Sequence, residues 1–168
     1  MPMKNQILSS ADIIQKTKRI AYQIVEENYD AEELIMIGIK PNGFEYAGQL
    51  KKEIEAIENM TVTLVELSLN KSNPLQEDIR LNIGKKSLDE KTIIVVDDVA
   101  NTGKTLYYAL KPVMKFSPKK VQAVVLVDRQ HKLFPVTPDF VGLSLSTTLR
   151  EHIHVEFDEK GNGAAYLS

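Results

Sequence analysis

The sequence contains no cysteine. That absence excludes disulfide bonds, a thiol nucleophile and a cysteine-ligated metal, and it fits a reducing compartment. Long apolar runs are also missing, since none approaches the roughly 20 residues of a membrane span, and the opening MPMKNQIL lacks the apolar stretch of a signal peptide. We therefore expect a cytoplasmic protein with no membrane partner.

Neither sign of charge dominates the sequence. It has 21 basic and 23 acidic residues and a formal net charge of −2, so no overall positive field would attract nucleic acid. Any RNA or DNA binding would require a local basic patch. The 168 residues, 43% hydrophobic and 26% charged, predict a single globular domain spanning 1–168, without internal repeats.

The hydrophobic pattern alternates between helix-like and strand-like segments along most of the chain. Residues predicted to form helices are 10–28, 44–57 and 102–114, and residues predicted to form strands are 34–39, 61–69, 92–96 and 121–127. Strands that alternate with helices at this spacing indicate βαβ units and a mostly parallel sheet, which is an α/β fold.

Two regions lack this alternation. Residues 70–90 are polar and turn-forming, a length that favours a lid or mobile hairpin over a connection within a compact core. Beyond Asp128 the pattern breaks into short strand-like pieces separated by prolines, glycines and a turn at 161–163. We predict that this tail caps one end of the sheet.

The segment 93–105 carries the clearest chemical signal. An apolar strand is followed by Asp97 and Asp98, a short loop, and Thr-Gly-Lys-Thr at the start of a helix. Unpaired backbone N–H groups at a helix start bind anions, and Gly103 allows the chain to curl closely around a phosphate. The two carboxylates would repel that phosphate, so they are expected to face hydroxyl groups or a cation on the same ligand. The predicted ligand has both a phosphate and a diol.

Other interpretations of this segment fit less well. A Walker A loop would require glycine at position 98, where this chain has Asp98. Receiver domains place an acid pair after their first strand, whereas several elements precede it here. A structural N-cap by Thr102 would explain the helix start but not the acid pair. From the residues alone, the ligand-binding and purely structural interpretations both stay open.

The segment 95–105 resembles the phosphoribosyl pyrophosphate (PRPP) signature of type I phosphoribosyltransferases. The similarity extends to the pyrimidine operon attenuator and uracil phosphoribosyltransferase family, PyrR. Residues 35–40 with Gly43 resemble its diphosphate-contacting loop, and 124–131 and 135–142 resemble its Leu-Val-Asp-Arg-Gly-His segment and the stretch after it.

This resemblance implies the type I phosphoribosyltransferase fold, with a mostly parallel central sheet flanked by helices, a small cap and a mobile lid loop. It also implies Mg²⁺-assisted transfer of a phosphoribosyl group from PRPP to a nucleobase, with uracil as the expected acceptor and a nucleoside monophosphate as product. The implied contacts with the ribose hydroxyls are Asp97 and Asp98, which would also hold Mg²⁺, largely through ligand and water. The implied contacts with the 5-phosphate are Asn101, Thr102, Gly103, Lys104 and Thr105, and those with the diphosphate are Lys40, Asn42 and Gly43. The implied contacts with the base are Val127, Asp128 and Arg129.

The chain departs from the family pattern at three places. It reads Lys-Pro-Asn-Gly at 40–43 where PyrR proteins usually have Lys-Thr-Arg-Gly, and 69–74 lacks the usual Leu-Tyr-Arg-Asp-Asp run. We expect Lys71 or Arg80 to supply the missing catalytic cation. Asn101 replaces an aspartate of purine-using relatives and the usual tyrosine of PyrR. The alternative function is therefore a catalytically weak regulator that senses PRPP or a nucleotide.

Partners outside the active site are predicted less directly. Lys16, Lys18 and Arg19 form a basic cluster on the first helix that would serve an RNA face, although Tyr22 stands where the attenuators usually have histidine. RNA is the less favoured partner, and a homodimer or higher homo-oligomer is expected. His152 and His154 alternate along a predicted strand and, without a third ligand, do not indicate zinc.

Overall fold

The computed structural model describes residues 4–168. Its elements, in chain order, are β1 (Asn5–Leu8), α1 (Ser10–Glu27), β2 (Glu33–Ile39), α2 (Asn42–Ile57), β3 (Thr61–Ser68), β4 (Arg80–Asn82), β5 (Thr92–Ala100), α3 (Lys104–Val113), β6 (Lys120–Arg129), β7 (Phe140–Leu145), β8 (Ile153–Phe157) and β9 (Gly163–Leu167). Within this part of the chain no helix is both long and apolar enough to cross a bilayer.

A six-stranded sheet in the order β4-β3-β2-β5-β6-β7 forms the centre of the fold. All its strands are parallel except β4, which pairs antiparallel with β3. The prediction of a mostly parallel α/β sheet is confirmed. Connections through helices between parallel strands place the polar loops at the carboxyl ends of the strands, where open sheets bind their ligands.

Both faces of this sheet are buried because successive strand residues point to opposite sides. In β2, Leu34 and Met36 belong to the core shared with α1 and α2, while Ile35 and Ile37 belong to the core shared with α3. Two helices therefore cover one face and one helix covers the other. This arrangement explains the nearly continuous apolar run of β2.

The elements differ from their predicted bounds mainly at the ends that carry polar residues. Strand β5 continues to Ala100, so Asp97 and Asp98 lie within the strand and not after it. Aspartate disfavours strands, but the ladder with β6 continues past the acid pair to Ala100 and Asp128 and holds it extended. The first helix begins after Ser9, which forms a capping box with Asp12.

The cap is a separate three-stranded antiparallel sheet in the order β1-β9-β8. The tail beyond Asp128 was predicted to form the cap, and β8 and β9 do so, but β7 belongs to the main sheet and the contribution of β1 was not predicted. The cap contacts helix α2 through Asn42, whose Nδ2 donates to the carbonyl oxygen of Val155 at 2.8 Å. Strand β8 therefore lies over the start of α2.

The segment predicted as a lid contains one ordered piece. Strand β4 pairs Arg80 with Ser68, and Leu88 is fully buried against the α3 side of the core. Residues 71–73 and 75–78, in contrast, are exposed. Closure of this segment over a ligand stays a prediction, and the exposed residues are the part that has room to move.

Candidate functional site

A cavity of about 320 Å³ opens beyond the carboxyl ends of β2 and β5. It brings together residues from the start of α2, β5, the following loop, the start of α3, the lid segment and the cap. Those residues are Asn42, Lys71, Asp97, Asp98, Val99, Ala100, Asn101, Thr102, Gly103, Lys104, Thr105, Leu106, Ile153, His154 and Val155.

The acid pair forms the floor of this cavity. The side chain of Asp97 is 1% exposed and that of Asp98 is 12% exposed, and Lys71 Nζ lies 3.2 Å from Asp97 Oδ1 and 3.8 Å from Asp98 Oδ1. Burial, together with the neighbouring charge of Asp98, raises the pKa of Asp97 well above its ordinary value, and Lys71 offsets only part of this effect. Burial alone would lower the pKa of Lys71, but the two carboxylates outweigh it and raise that pKa.

Asn42 and Gly43 fit the start of α2 closely against the acid pair. A Cβ on Gly43 would lie 2.5 Å from the carbonyl oxygen of Val96 and 2.9 Å from Cα of Asp97, so only glycine allows this approach. Asn42 Nδ2 donates to Asp98 Oδ2 at 3.0 Å. Gly43 thus supports Asp97 from behind, while Asn42 reaches the cavity itself.

Residues 101–105, which we call the phosphate loop, form the other end of the cavity. Gly103 has φ = +86°, a left-handed conformation that glycine adopts without strain, and α3 begins at the next residue. Thr102 Oγ1 accepts a weak hydrogen bond from the Lys104 N–H at 3.3 Å. The buried Asn101 Oδ1 has no hydrogen-bond partner among the described residues. The loop therefore presents donors at a helix N-terminus and one unmatched acceptor.

Six residues predicted for the site do not line the cavity, and one of them, Gly43, packs behind Asp97. Lys40 Nζ is 3.1 Å from Glu66 Oε2, and Arg80 is exposed on β4. Val127 is fully buried and Asp128 is bonded to Lys132, while the Arg129 guanidinium donates to Thr147 Oγ1 and, at 2.7 Å, to the carbonyl oxygen of Thr148. The base-binding role of 127–129 stays a prediction.

No sequence pattern pointed to the cap wall of the cavity, which is formed by Ile153, His154 and Val155. His154 was interpreted only as a strand residue. Its ring stacks on Tyr166 with centroids 5.5 Å apart, and its Nε2 lies 3.6 Å from Glu156 Oε1. No local pattern could have placed this strand, because β8 reaches the cavity through contacts with elements about 50 or more residues earlier in the chain.

The basic cluster on α1 is only partly available to a partner. Arg19 donates to the carbonyl oxygens of Val141 at 3.2 Å and Gly142 at 2.7 Å, which fastens α1 to β7. Lys16 is half-buried and Lys18 is exposed. Binding of RNA at this face stays a prediction, with fewer free cations than the sequence suggested.

Comparison with known proteins identifies relatives along nearly the whole chain. The model of the phosphoribosyl transferase domain matches residues 3–160. The chain is 40% identical over 164 residues to the bifunctional protein PyrR of Brevibacillus brevis, covering 93% of this chain and 91% of that protein. It is 35% identical over 159 residues to the PyrR protein of Geobacter sulfurreducens, with 90% of each chain covered.

Solved structures with the same fold are more distant in sequence. A hypoxanthine-guanine phosphoribosyltransferase from Bacillus anthracis superposes with a TM-score of 0.76 at 20% identity, covering 100% of both chains. The hypoxanthine phosphoribosyltransferase of Trypanosoma cruzi gives a TM-score of 0.77 at 17% identity over 100% of this chain and 93% of that one. At these identities the likeness establishes the fold.

Proposed function

This chain belongs to the phosphoribosyltransferase family, among the PyrR proteins, and from that membership we propose that it transfers the phosphoribosyl group of PRPP to uracil, with UMP and diphosphate as products. Transfer from PRPP is the activity of the family. The choice of uracil, the roles of individual residues, a pyrimidine-regulatory role and a homo-oligomeric state are the proposal.

One observation carries the proposal: an acid pair and a phosphate loop share a single cavity of about 320 Å³. PRPP has a 5-phosphate at one end and two ribose hydroxyls in the middle. Donors at the α3 N-terminus suit the phosphate, and the carboxylates of Asp97 and Asp98 suit the hydroxyls as hydrogen-bond acceptors. Asn42, bonded to Asp98, would lie beside the diphosphate.

The acid pair also fits Mg²⁺, which phosphoribosyltransferases of this fold generally use with PRPP. Residues 4–168 contain no group of three or more acidic or histidine side chains that could hold a metal by themselves. Mg²⁺ usually binds through one or two carboxylates, with water and substrate phosphates supplying the other ligands. When bound, it would offset the negative charge of the departing diphosphate.

The protein groups then act mainly by positioning and electrostatics. The bond from C1 of the ribose to the diphosphate oxygen breaks with its electron pair going to diphosphate, and a uracil ring nitrogen bonds to C1 while its N–H proton passes to solvent water. Positive charge develops on the ribose in between. The buried carboxylates of Asp97 and Asp98 favour that charge, and Lys71, released from them by the ligand, would neutralise the diphosphate.

Asn101 supports a pyrimidine over a purine acceptor. It lines the cavity at the position where, by the resemblance, purine-using relatives have an aspartate thought to act as a base. An amide cannot accept a proton in that role. Val127, Asp128 and Arg129 stay the proposed location of the base.

The test is a panel of bases. Purified protein with PRPP and Mg²⁺ is given uracil, cytosine, adenine, guanine or hypoxanthine, and diphosphate release is followed. We expect uracil to react at least about tenfold faster than the other bases, a difference of about 1.4 kcal/mol in activation free energy. Preference for hypoxanthine or guanine would contradict the proposal.

A PRPP-sensing regulator with weak catalysis is the second candidate, and one contact favours it. Lys40, the lysine of the diphosphate-contacting loop, is paired with Glu66 and does not line the cavity. Binding of PRPP without diphosphate release from any base in the panel would support this candidate.

Replacement of Lys71 by alanine distinguishes the two functions further. Because Lys71 lies beside the acid pair and Arg80 is exposed on β4, the geometry favours Lys71 as the cation that meets the developing diphosphate charge. We expect Lys71→Ala to lower kcat about tenfold or more with a smaller change in PRPP affinity, the pattern of a transition-state contact. Arg80→Ala, the matched control, should change kcat less than about threefold. A parallel loss of affinity and kcat in Lys71→Ala would instead indicate ground-state binding.

A further inference from the structure

We propose that Lys132 is a positioning residue that holds the phosphate loop in its anion-binding conformation. The sequence did not single it out, and it does not line the cavity. This inference rests on the proposed function of the loop, but not on which base is used.

The ammonium group of Lys132 joins two parts of the chain. Its Nζ lies 2.5 Å from Asp128 Oδ1 and 2.5 Å from the carbonyl oxygen of Arg129, both at the end of β6. The same atom lies 3.2 Å from the carbonyl oxygen of Asn101 and 3.4 Å from that of Ala100. An ammonium has three N–H donors and no acceptor, so it is suited to gathering several oxygens around one point.

The neighbouring residues hold the next peptide group in the same way. The backbone N–H groups of Leu133 and Phe134 donate to the carbonyl oxygen of Thr102 at 2.9 and 3.1 Å. The ring of Phe134 packs against Tyr107 of α3, with centroids 5.2 Å apart. Residues 132–134 therefore form a support behind the phosphate loop that is fixed to α3 as well as to β6.

These carbonyl contacts determine the direction in which the backbone N–H groups of the phosphate loop point. In a trans peptide the C=O and N–H groups point in opposite directions. Because the carbonyls of Asn101 and Thr102 point toward 132–134, the N–H groups of Thr102 and Gly103 point away from that support. Neither N–H has a protein acceptor within residues 4–168. Two consecutive free N–H groups of this kind form an anion-binding nest on the cavity side.

Lys132 acts by orienting the backbone of the phosphate loop, and not through the electrostatic attraction of its own charge for the phosphate. Its charge is offset by Asp128 at 2.5 Å, and its side chain is only 22% exposed. The predicted site residue Asp128 thereby gains a role in holding Lys132. This orientation role predicts that arginine, which also donates several hydrogen bonds, can replace Lys132, whereas an apolar side chain of similar length cannot.

The experiment measures ribose 5-phosphate binding by calorimetry in Lys132→Met, Lys132→Arg and the matched control Lys115→Met, where Lys115 is exposed at the end of α3. We expect affinity to fall about tenfold in Lys132→Met, to stay within about threefold in Lys132→Arg, and to be unchanged in Lys115→Met. Ribose 5-phosphate carries no base and no diphosphate, so a protein that prefers a base other than uracil would still give this result.

A second measurement covers the case in which Lys132→Met does not fold. In the wild-type protein, amide resonances of Thr102 and Gly103 should shift on addition of ribose 5-phosphate. Wild-type affinity in a folded Lys132→Met protein would overturn the proposal. Absence of any shift at Thr102 and Gly103 at saturating ribose 5-phosphate would overturn it as well.

Discussion

Replacing Asp97 and Asp98 together by asparagine is expected to lower the affinity for PRPP in the presence of Mg²⁺ by about 100-fold or more. A charge-assisted hydrogen bond contributes about 1.5–3 kcal/mol, so losing two of them is enough for an effect of this size. The variant also removes the carboxylates on which a bridging Mg²⁺ depends. Calorimetric titration with PRPP measures the change.

The same variant should not lose stability, which separates a binding defect from misfolding. Burial and the charge of Asp98 raise the pKa of Asp97, so the native state holds this proton more tightly than the unfolded chain does. Ionisation of Asp97 therefore costs stability as the pH rises from the ordinary carboxyl range through the raised pKa, and asparagine avoids that cost. At neutral pH we expect the unfolding midpoint of the ligand-free variant to equal or exceed that of the wild type.

A matched control removes two carboxylates at the opposite end of the sheet. Glu33 is the first residue of β2 and Glu32 precedes it, so both lie far from the cavity. Their double replacement by glutamine should leave PRPP affinity unchanged. Unchanged affinity in the Asp97 and Asp98 variant, or full affinity in excess chelator, would contradict the assignment of the acid pair.

Gly103→Val is expected to lower the affinity for UMP by about 30-fold or more. Valine is strained at φ = +86°, at a cost of about 1–3 kcal/mol, and the chain can relieve that strain only by rotating the peptide groups of the phosphate loop. Rotation turns the N–H groups of Thr102 and Gly103 away from the phosphate. Equilibrium titration with UMP measures the loss.

Gly161→Val is the control for backbone strain. Gly161 has nearly the same conformation, with φ = +82°, but it lies in the turn between β8 and β9. Both variants should therefore unfold at lower temperature than the wild type, and only Gly103→Val should bind UMP weakly. Wild-type affinity in Gly103→Val would show that the phosphate binds elsewhere.

The part of the site that could be predicted from the sequence is the part built from consecutive residues. The acid pair and the phosphate loop are close together in the chain, and their chemistry depends on local geometry, so residues 97–105 could be assigned to one cavity from the sequence. The alternation of helices and strands likewise indicated the parallel sheet. The predicted end of β5 at residue 96 was wrong, because pairing with β6 keeps the chain extended to Ala100 despite the weak strand preference of aspartate.

The parts that could not be predicted depend on contacts between distant segments. Lys132 reaches Asn101 across 31 positions in the chain, and no spacing rule links a loop lysine to a carbonyl oxygen. Val155 meets Asn42 across 113 positions, which is why the cap wall was not assigned to the site. Lys40 has the expected residue type, but its pairing with Glu66 depends on the register between β2 and β3.

The order of strands in the cap has a consequence for how the molecule folds. Strand β9 lies between β1 and β8, and Asn5 pairs with Leu167. Contacts of such long sequence separation form slowly, because the entropy cost of closing a long loop comes before the contacts that stabilise it. On the ribosome β1 has no cap partner until β9 has been made, whereas β2, β3 and β5 can already pair. The cap wall of the cavity would therefore be completed last, after the acid pair and the phosphate loop are in place.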